Sequence, residues 1–287
     1  MSMDKSKILI GAFCLICANL SLSGGAHASV VPWTGYANYA AAPGASGSED
    51  LVGPFSSYDF SDGGIVLLQP STVANTNAYT VGDIYTGSYQ SYVVGHTLNG
   101  NTVSSPDLNM TGSGGGYELT IAATFSERVS SVDASGSALF DVLGGNANLY
   151  FDPTPDRNFS TDSGFTDGAS ILAGSITGGS GAFLPAPGAG FNGISLAIGN
   201  FDYDHNVFSP PNISGGNGIF TLQINPSGVT STVNSVMGNG VNEGDQLLQA
   251  DGSLDLVAVP LPGAVWLLCS ALAGFAGIGR CHHPVAA

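Results

Sequence analysis

The chain has 287 residues, which is enough for one large domain or two small ones. Five Lys and Arg residues stand against 21 Asp and Glu residues, and of the basic residues only Arg128 and Arg157 lie between positions 29 and 262. That segment keeps 20 of the acidic residues, since only Asp4 lies outside it, and its net charge is −18. Proteins bind phosphate backbones through Lys and Arg, so this composition argues against nucleic acid as a partner.

The first 28 residues have the three parts of a secretory signal peptide. Two lysines precede an apolar run over residues 8–22. Small side chains at Ala26 and Ala28 fit the pockets of signal peptidase, which predicts cleavage between Ala28 and Ser29. We therefore expect an exported protein with signal peptidase as a processing partner. A retained anchor helix is the alternative.

The body of the chain, residues 29–258, shows no long helical periodicity and is predicted to be one acidic, all-β domain. Tyr117, Leu119 and Ile121 alternate with polar or small residues, as a strand with one buried face requires. Runs of this length between turn residues predict an antiparallel β-sandwich or jelly roll. The predicted strands are residues 64–68, 89–94, 117–129, 138–142, 148–152, 194–201, 218–224 and 246–259.

Three segments outside these runs are rich in Gly, Ser or Pro, a composition typical of irregular structure. Residues 29–62 are expected to form irregular structure or an early strand. Residues 111–116 and 174–193 are expected to be loops. Loops of this kind occur within one domain as readily as between two, and one domain is the simpler interpretation.

Calcium is the only cofactor for which the body offers a candidate site. Asp202, Asp204 and Asn206 place oxygen ligands at alternate positions, as the start of a calcium loop does. The Gly and Glu that complete an EF-hand are replaced by Val207 and Ile213, so a plain polar loop is the competing interpretation. A second acidic stretch between two predicted strands has the same two interpretations; it contains Asp152, Asp156, Asp162 and Asp167.

Catalytic patterns are scarce, and we predict that the protein is not an enzyme. His96 and His205 are the only histidines of the body, and neither a GxSxG elbow nor an HExxH pair is present. Asp202 or Asp204 could orient His205 toward a serine, although a solvated loop histidine is the simpler interpretation. A polysaccharide hydrolase with two carboxylates stays open as an alternative, but no pair stands out.

The C-terminal region, residues 259–287, is predicted to contain a transmembrane helix. Residues 261–279 carry no charge. As a helix they would extend about 28 Å, close to the roughly 30 Å hydrocarbon core of a bilayer. Trp266 would lie at the membrane interface, and Arg280 would stay on the cytoplasmic side.

A Val-Pro-Leu-Pro motif at residues 259–262 opens this tail, and Arg280 follows the uncharged run. This arrangement resembles the VPLPA variant of the PEP-CTERM sorting signal. The resemblance implies that a membrane-embedded exosortase recognises the proline motif and removes the tail, which takes the protein from an inner-membrane intermediate to the cell surface or extracellular matrix. A single basic residue follows the helix in place of the usual cluster, so a tail-anchored periplasmic protein is the alternative. The motif and the basic residue are Val259, Pro260, Leu261, Pro262 and Arg280.

Three short segments of the body form a second pattern: Leu-Tyr-Phe-Asp-Pro at residues 149–153, Ile-Leu-Ala-Gly at residues 171–174 and Gly-Ser-Leu-Asp at residues 252–255. In this order they resemble segments of the flocculation-associated PEP-CTERM proteins. The resemblance implies a protein that helps to hold cells and exopolysaccharide together. A secreted carbohydrate-binding module is the first alternative, which a row of aromatic side chains on one sheet face would favour.

Overall fold

The computed structural model describes residues 31–71, 79–111, 116–183, 192–213, 218–225 and 232–258. All of them belong to one compact unit, Val31–Val259. The predicted signal peptide and the predicted C-terminal membrane helix lie outside the described residues. Within the described ranges, no helix has the length and apolar character needed to cross a membrane.

The described part of the chain contains sixteen strands and one 3-10 helix, Tyr39–Ala41. The strands are β1 (Val31–Pro32), β2 (Gly35–Asn38), β3 (Leu51–Phe55), β4 (Ser57–Phe60), β5 (Gly64–Pro70), β6 (Ile84–Leu98), β7 (Asn101–Val103), β8 (Glu118–Val132), β9 (Ala138–Asp152), β10 (Ala169–Phe183), β11 (Gly193–Tyr203), β12 (Phe208–Ser209), β13 (Gly218–Asn225), β14 (Ser235–Val236), β15 (Asn239–Gly240) and β16 (Gln246–Ala258).

The main sheet closes on itself. Its strands run in the order β6, β8, β9, β10, β11, β13 and β16, each hydrogen-bonded antiparallel to the next. β4 and β5 act together as one interrupted eighth strand, because each pairs with β6 on one side and with β16 on the other. The result is a closed eight-stranded antiparallel barrel.

The all-β class is confirmed, but the predicted sandwich or jelly roll is wrong because the sheet forms a closed barrel. Inward and outward residues alternate in the same way in a sandwich and in a barrel, so periodicity does not separate the two folds. The distinction depends on β16, which pairs with β13 along one edge and with β4 and β5 along the other.

Bulges and glycines curve the long strands into the barrel. The register between β8 and β9 shifts between Ser126 and Glu127. Close to this shift, Gly145 of β9 lies opposite Phe125 and has a φ of 159°. A Cβ on Gly145 would collide with the carbonyl oxygen of Thr124, so only glycine lets the two backbones approach this closely. The strands can therefore bend without losing their partners.

The predicted inner face of β8 is confirmed. Tyr117 and the alternate residues after it, as far as Phe125, are almost fully buried. They belong to one hydrophobic cluster that also contains side chains from all the other strands of the barrel. An eight-stranded barrel is just wide enough for its own side chains to fill it. Rings occupy much of this interior, including Phe60, Tyr89 and Phe220 in edge-to-face contact.

The N-terminal segment covers one end of the barrel. Tyr39 is fully buried, with its ring centroid 4.9 Å from that of Tyr117 and 6.2 Å from that of Phe151. Trp33 packs edge-on against Phe55, and β2 pairs with β3 and β12 in a small second sheet. The segment 29–62, for which irregular structure or an early strand was predicted, therefore contains four short strands and closes one end of the core.

The remaining segments agree with the sequence only in part. Each of the eight predicted strand runs falls in a strand, except for Tyr117, which forms an isolated bridge just before β8, and Val259, which lies outside the described residues. The runs 138–142 and 148–152 are parts of one strand, β9. The predicted loop 174–193 is wrong in its first half, because residues 174–183 belong to β10 and pair with β9 and β11 on both sides.

We expect Gly87→Ala to lower the free energy of unfolding by about 1–3 kcal/mol, because it overpacks the core. A Cβ on Gly87 would lie 2.7 Å or less from three atoms of the Phe125 ring. Gly95 lies in the same strand, and no atom of the described part of the chain is within 4 Å of the position that its Cβ would take. Gly95→Ala should therefore change stability by less than about 0.5 kcal/mol. Urea unfolding of both variants checks this, and equal losses would contradict the inward packing of Phe125.

Candidate functional site

The outer face of β8 is also buried, which the sequence did not predict. Glu118, Thr120 and Ala122 point away from the barrel interior and are at most 1% exposed. Residues 153–168 and the β14–β15 hairpin cover this face. They form a second hydrophobic cluster with β5, consisting of Ile65, Leu67, Val233 and Val236, with Phe159, Met237 and Leu247 packed against it.

An ion pair holds the loop of residues 153–168 against the barrel. The Arg157 guanidinium donates through Nη1 to Oε2 of Glu118, and the side chains are 20% and 0% exposed. Glu118 Oε1 also accepts hydrogen bonds from the backbone N–H groups of Asp156 (3.0 Å) and Arg157 (3.2 Å). Burial raises the pKa of the Glu118 carboxyl, and the guanidinium and the two N–H groups oppose that rise.

Other contacts hold the loop and the hairpin in place. The Arg157 guanidinium carbon lies 3.5 Å from the centre of the Tyr92 ring, a cation–π contact. Thr120 Oγ1 donates to the Phe165 carbonyl at 2.8 Å. The Asp162 carboxylate accepts hydrogen bonds from the backbone N–H groups of Met237 (3.0 Å) and Gly238 (2.8 Å). The loop and the hairpin are thus positioned by the barrel and by each other.

A surface groove of about 400 Å³ lies between the loop, the hairpin and the barrel; we call it the Arg157 groove. Its floor is apolar and its rim carries amide and hydroxyl groups. Phe159 is half-buried and its ring packs 4.7 Å from that of Phe165. The lining consists of Gly63, Ile65, Arg157, Asn158, Phe159, Ser160, Thr232, Val233 and Gln249.

Three carboxylate groups lie close together near the groove. Oxygen atoms of Glu118, Asp152 and Asp156 lie within 4.8 Å of one another. Burial raises the pKa of the Asp152 carboxyl, and the charges of Asp167 and Asp156 add to the rise. However, both oxygens of Glu118 already accept hydrogen bonds, and Asp152 accepts one from the Thr154 N–H at 2.7 Å. Glu118 and Asp152 therefore help to anchor the loop, and calcium at the acidic stretch that contains Asp152 and Asp156 stays a prediction.

The predicted calcium ligands lie elsewhere, at the end of β11 and in the turn that follows it. Asp204 Oδ1 accepts hydrogen bonds from the backbone N–H and the side-chain amide of Asn206, at 2.8 and 3.0 Å. This is the geometry of an Asx turn. Asp202 is exposed and pairs with Ala173 in the sheet. Calcium at Asp202, Asp204 and Asn206 stays a prediction.

The two histidines of the body differ sharply in their surroundings. His96 is fully buried, its Nε2 lies 2.7 Å from the Tyr39 hydroxyl, and burial lowers its pKa to about 3. It is therefore a neutral part of the core at the covered end of the barrel. His205 is exposed, and its ring packs edge-on to Tyr203. Among the described residues, no hydrogen bond links His205 to Asp202 or Asp204.

The other predicted site residues lie outside the described residues. These are the signal-cleavage residues Ala26, Ala28 and Ser29 and the sorting residues Val259, Pro260, Leu261, Pro262 and Arg280. Comparison of the chain with protein-family models, with curated proteins and with solved structures found no match. The sorting signal and its processing therefore stay predictions from the sequence.

Sequence reasoning missed the pairing of Arg157 with Glu118, which are 39 positions apart. One signal was available, because Arg157 is one of only two basic residues between positions 29 and 262. The burial of a second carboxylate, that of Glu127, could also have been predicted from the sequence. It has the same parity as Tyr117 and Val129, so the alternation of β8 already placed it among the inward positions.

We expect Arg157→Gln to lower the free energy of unfolding by about 3 kcal/mol, because it leaves the Glu118 carboxylate buried without its cation. Arg128 provides a matched control. It pairs with Asp141 at 3.6 Å, with both side chains about half exposed, so Arg128→Gln should cost less than about 1 kcal/mol. Urea unfolding at neutral pH measures both. Similar losses in the two variants would contradict the anchoring role of Arg157.

Proposed function

We propose that the chain is an exported extracellular-matrix protein whose barrel domain binds exopolysaccharide in the Arg157 groove and so aids cell aggregation. The observation that carries the proposal is the groove, with its apolar floor and its rim of amide, hydroxyl and guanidinium groups. The proposed role is binding without catalysis; in its support, both oxygens of Glu118 and one oxygen of Asp152 accept hydrogen bonds within the loop.

The chemistry of the groove suits a sugar. Saccharides present apolar C–H faces as well as hydroxyls, and the half-buried Phe159 ring beside Ile65 offers an apolar surface for such a face. At the rim, Asn158 Oδ1 already accepts hydrogen bonds from Ser160 and Thr161, and Gln249 Nε2 donates to the Asp62 carbonyl. The Asn158 amide N–H groups and the Gln249 Oε1 atom are the ones that face a sugar hydroxyl as donor and acceptor. A volume of about 400 Å³ lies within the usual range for small-ligand sites.

The charge distribution favours a neutral polysaccharide over an anionic one. The segment between residues 29 and 262 carries a net charge of −18, which repels anionic polymers. Arg157 does not reverse this locally, because its charge is paired with Glu118. An anionic polysaccharide would need divalent cations to bridge it to the acidic surface.

The two chain ends supply the proposed route to the matrix. The signal peptide ending at Ala28 directs export, and the motif from Val259 to Pro262 directs processing by an exosortase after membrane insertion. The support for this route is the order of the motif, the uncharged stretch 261–279 and Arg280. A protein that keeps its tail would instead remain anchored in the membrane.

We expect Gln249→Ala to weaken binding of the neutral exopolysaccharide fraction of the producing cells by about 3- to 10-fold, the effect of one lost hydrogen bond. Gln223→Ala is the matched control, because Gln223 is an exposed amide of β13 that does not line the groove. Thr232→Trp, which fills the groove from its exposed rim, should abolish binding. Titration calorimetry measures all three, and unchanged binding in Thr232→Trp would overturn the assignment of the groove.

Deletion of residues 259–287 should remove the protein from the cell surface if the tail directs sorting. Deletion of residues 281–287 leaves the motif, the apolar stretch and Arg280 in place, so it should preserve surface delivery. Surface immunolabelling with cell fractionation distinguishes the outcomes. Unchanged surface delivery after the longer deletion would contradict the sorting proposal without bearing on the groove.

A further inference from the structure

Glu127 is a buried carboxyl group inside the barrel, at the end opposite His96. It follows the core residue Phe125 on the inner face of β8 and precedes Val129, another core residue. The residue is 1% exposed, and neither of its two carboxylate oxygens has a hydrogen-bond partner among the described residues. A buried polar group without a partner is rare in folded proteins and calls for a physical explanation.

The surroundings of Glu127 are apolar and tightly packed. The adjoining cavity is about 10 Å³, room for at most one water molecule. Tyr79 closes it on one side, with edge-to-face contacts to Phe140 and Phe183 and a 2.7 Å hydrogen bond from its hydroxyl to Gln246. The other lining residues are Leu68, Ala182, Ile194, Ile224 and Leu248.

No cation balances Glu127 in the described part of the chain. The titratable groups that approach it are Tyr79 and Tyr85, with Asp83 beside Tyr85. The strands β5, β9, β10, β11, β13 and β16 contribute apolar lining residues, and β16 adds the neutral amide of Gln246. Arg128 is the next residue, but it is half exposed and pairs with Asp141. An ionised Glu127 would therefore be uncompensated.

We propose that this end of the barrel is a proton-dependent closure, which is shut while Glu127 is protonated and opens more readily as the pH rises. Opening means that the Tyr79 and Phe183 side chains leave the cavity and water reaches the carboxyl group. The physical reason is that a carboxylate ionises readily in water but not in an apolar cavity without a partner.

The sign and size of the effect follow from proton linkage. Burial raises the pKa of Glu127 from 4.5 to about 8 in the closed state. Between these values the open form loses its proton and the closed form keeps it, so each pH unit favours opening about tenfold. Between pH 5.5 and 7.5 the opening constant should rise on the order of 50-fold.

Hydrogen exchange of the full-length chain tests the proposal, because exchange reports opening residue by residue. Protection factors are measured at pH 5.5 and 7.5, with and without low urea, for the amides around Tyr85, Glu127 and Phe140. We expect the protection factors of these amides to fall about 50-fold between pH 5.5 and 7.5. They should depend little on urea, since local opening exposes little surface. The amides around Ile121 should exchange through a urea-dependent, global opening.

Three variants separate the closure from other effects of pH. Glu127→Gln should make protection near residue 127 independent of pH, while Glu243→Gln, which removes an exposed carboxylate, should behave as the unaltered chain does. Glu127→Met serves the same purpose as Glu127→Gln if the amide prevents folding. A pH response that persists in the Glu127 variants would overturn the proposal, as would exchange at this end only through global opening.

Discussion

The pairing of β16 with strands on both of its edges is the constraint on which the rest of the structure depends. Without the pairs to β4 and β5, the sheet would be open and its two faces would need separate cover. With them, one face of every strand becomes an interior that the aromatic and aliphatic side chains fill. The closed ring also creates two ends, and the buried titratable residues His96 and Glu127 lie at opposite ends.

Closure determines the location of the candidate site as well. Because the interior is filled, the space for a ligand lies outside, where the loop and the β14–β15 hairpin rest on the barrel. The ion pair of Glu118 and Arg157 holds that outer layer in place, so the groove depends on a charge pair taken from a body with very few cations. One of the two basic residues between positions 29 and 262 thus has a structural role, and the shape of the groove depends on it.

Local patterning predicted the strands well, and it did so for a clear reason. Successive residues of a strand point to opposite faces, and β13 and the run beginning at Tyr117 show this alternation in the sequence. Residues 174–183 were wrongly predicted to be a loop because Gly178, Gly179 and Gly181 give that run the composition of a loop. There, pairing with neighbours on both sides overrides local propensity. Closure and the groove require contacts between distant positions, which no local pattern contains.

The acidic surface has a consequence for the buried groups at the two ends of the barrel. His96 costs stability below its ordinary pKa of 6.5, and Glu127 costs stability above its ordinary pKa of 4.5, so their combined contribution is level between these values and falls on either side. A dense layer of domains that each carry a charge of −18 attracts counterions, hydrogen ions among them, most strongly at low salt. The pH inside such a layer is lower than in the liquid around it. Crowded molecules would thus keep one another's barrels shut, and a molecule diluted into alkaline water would lose that protection.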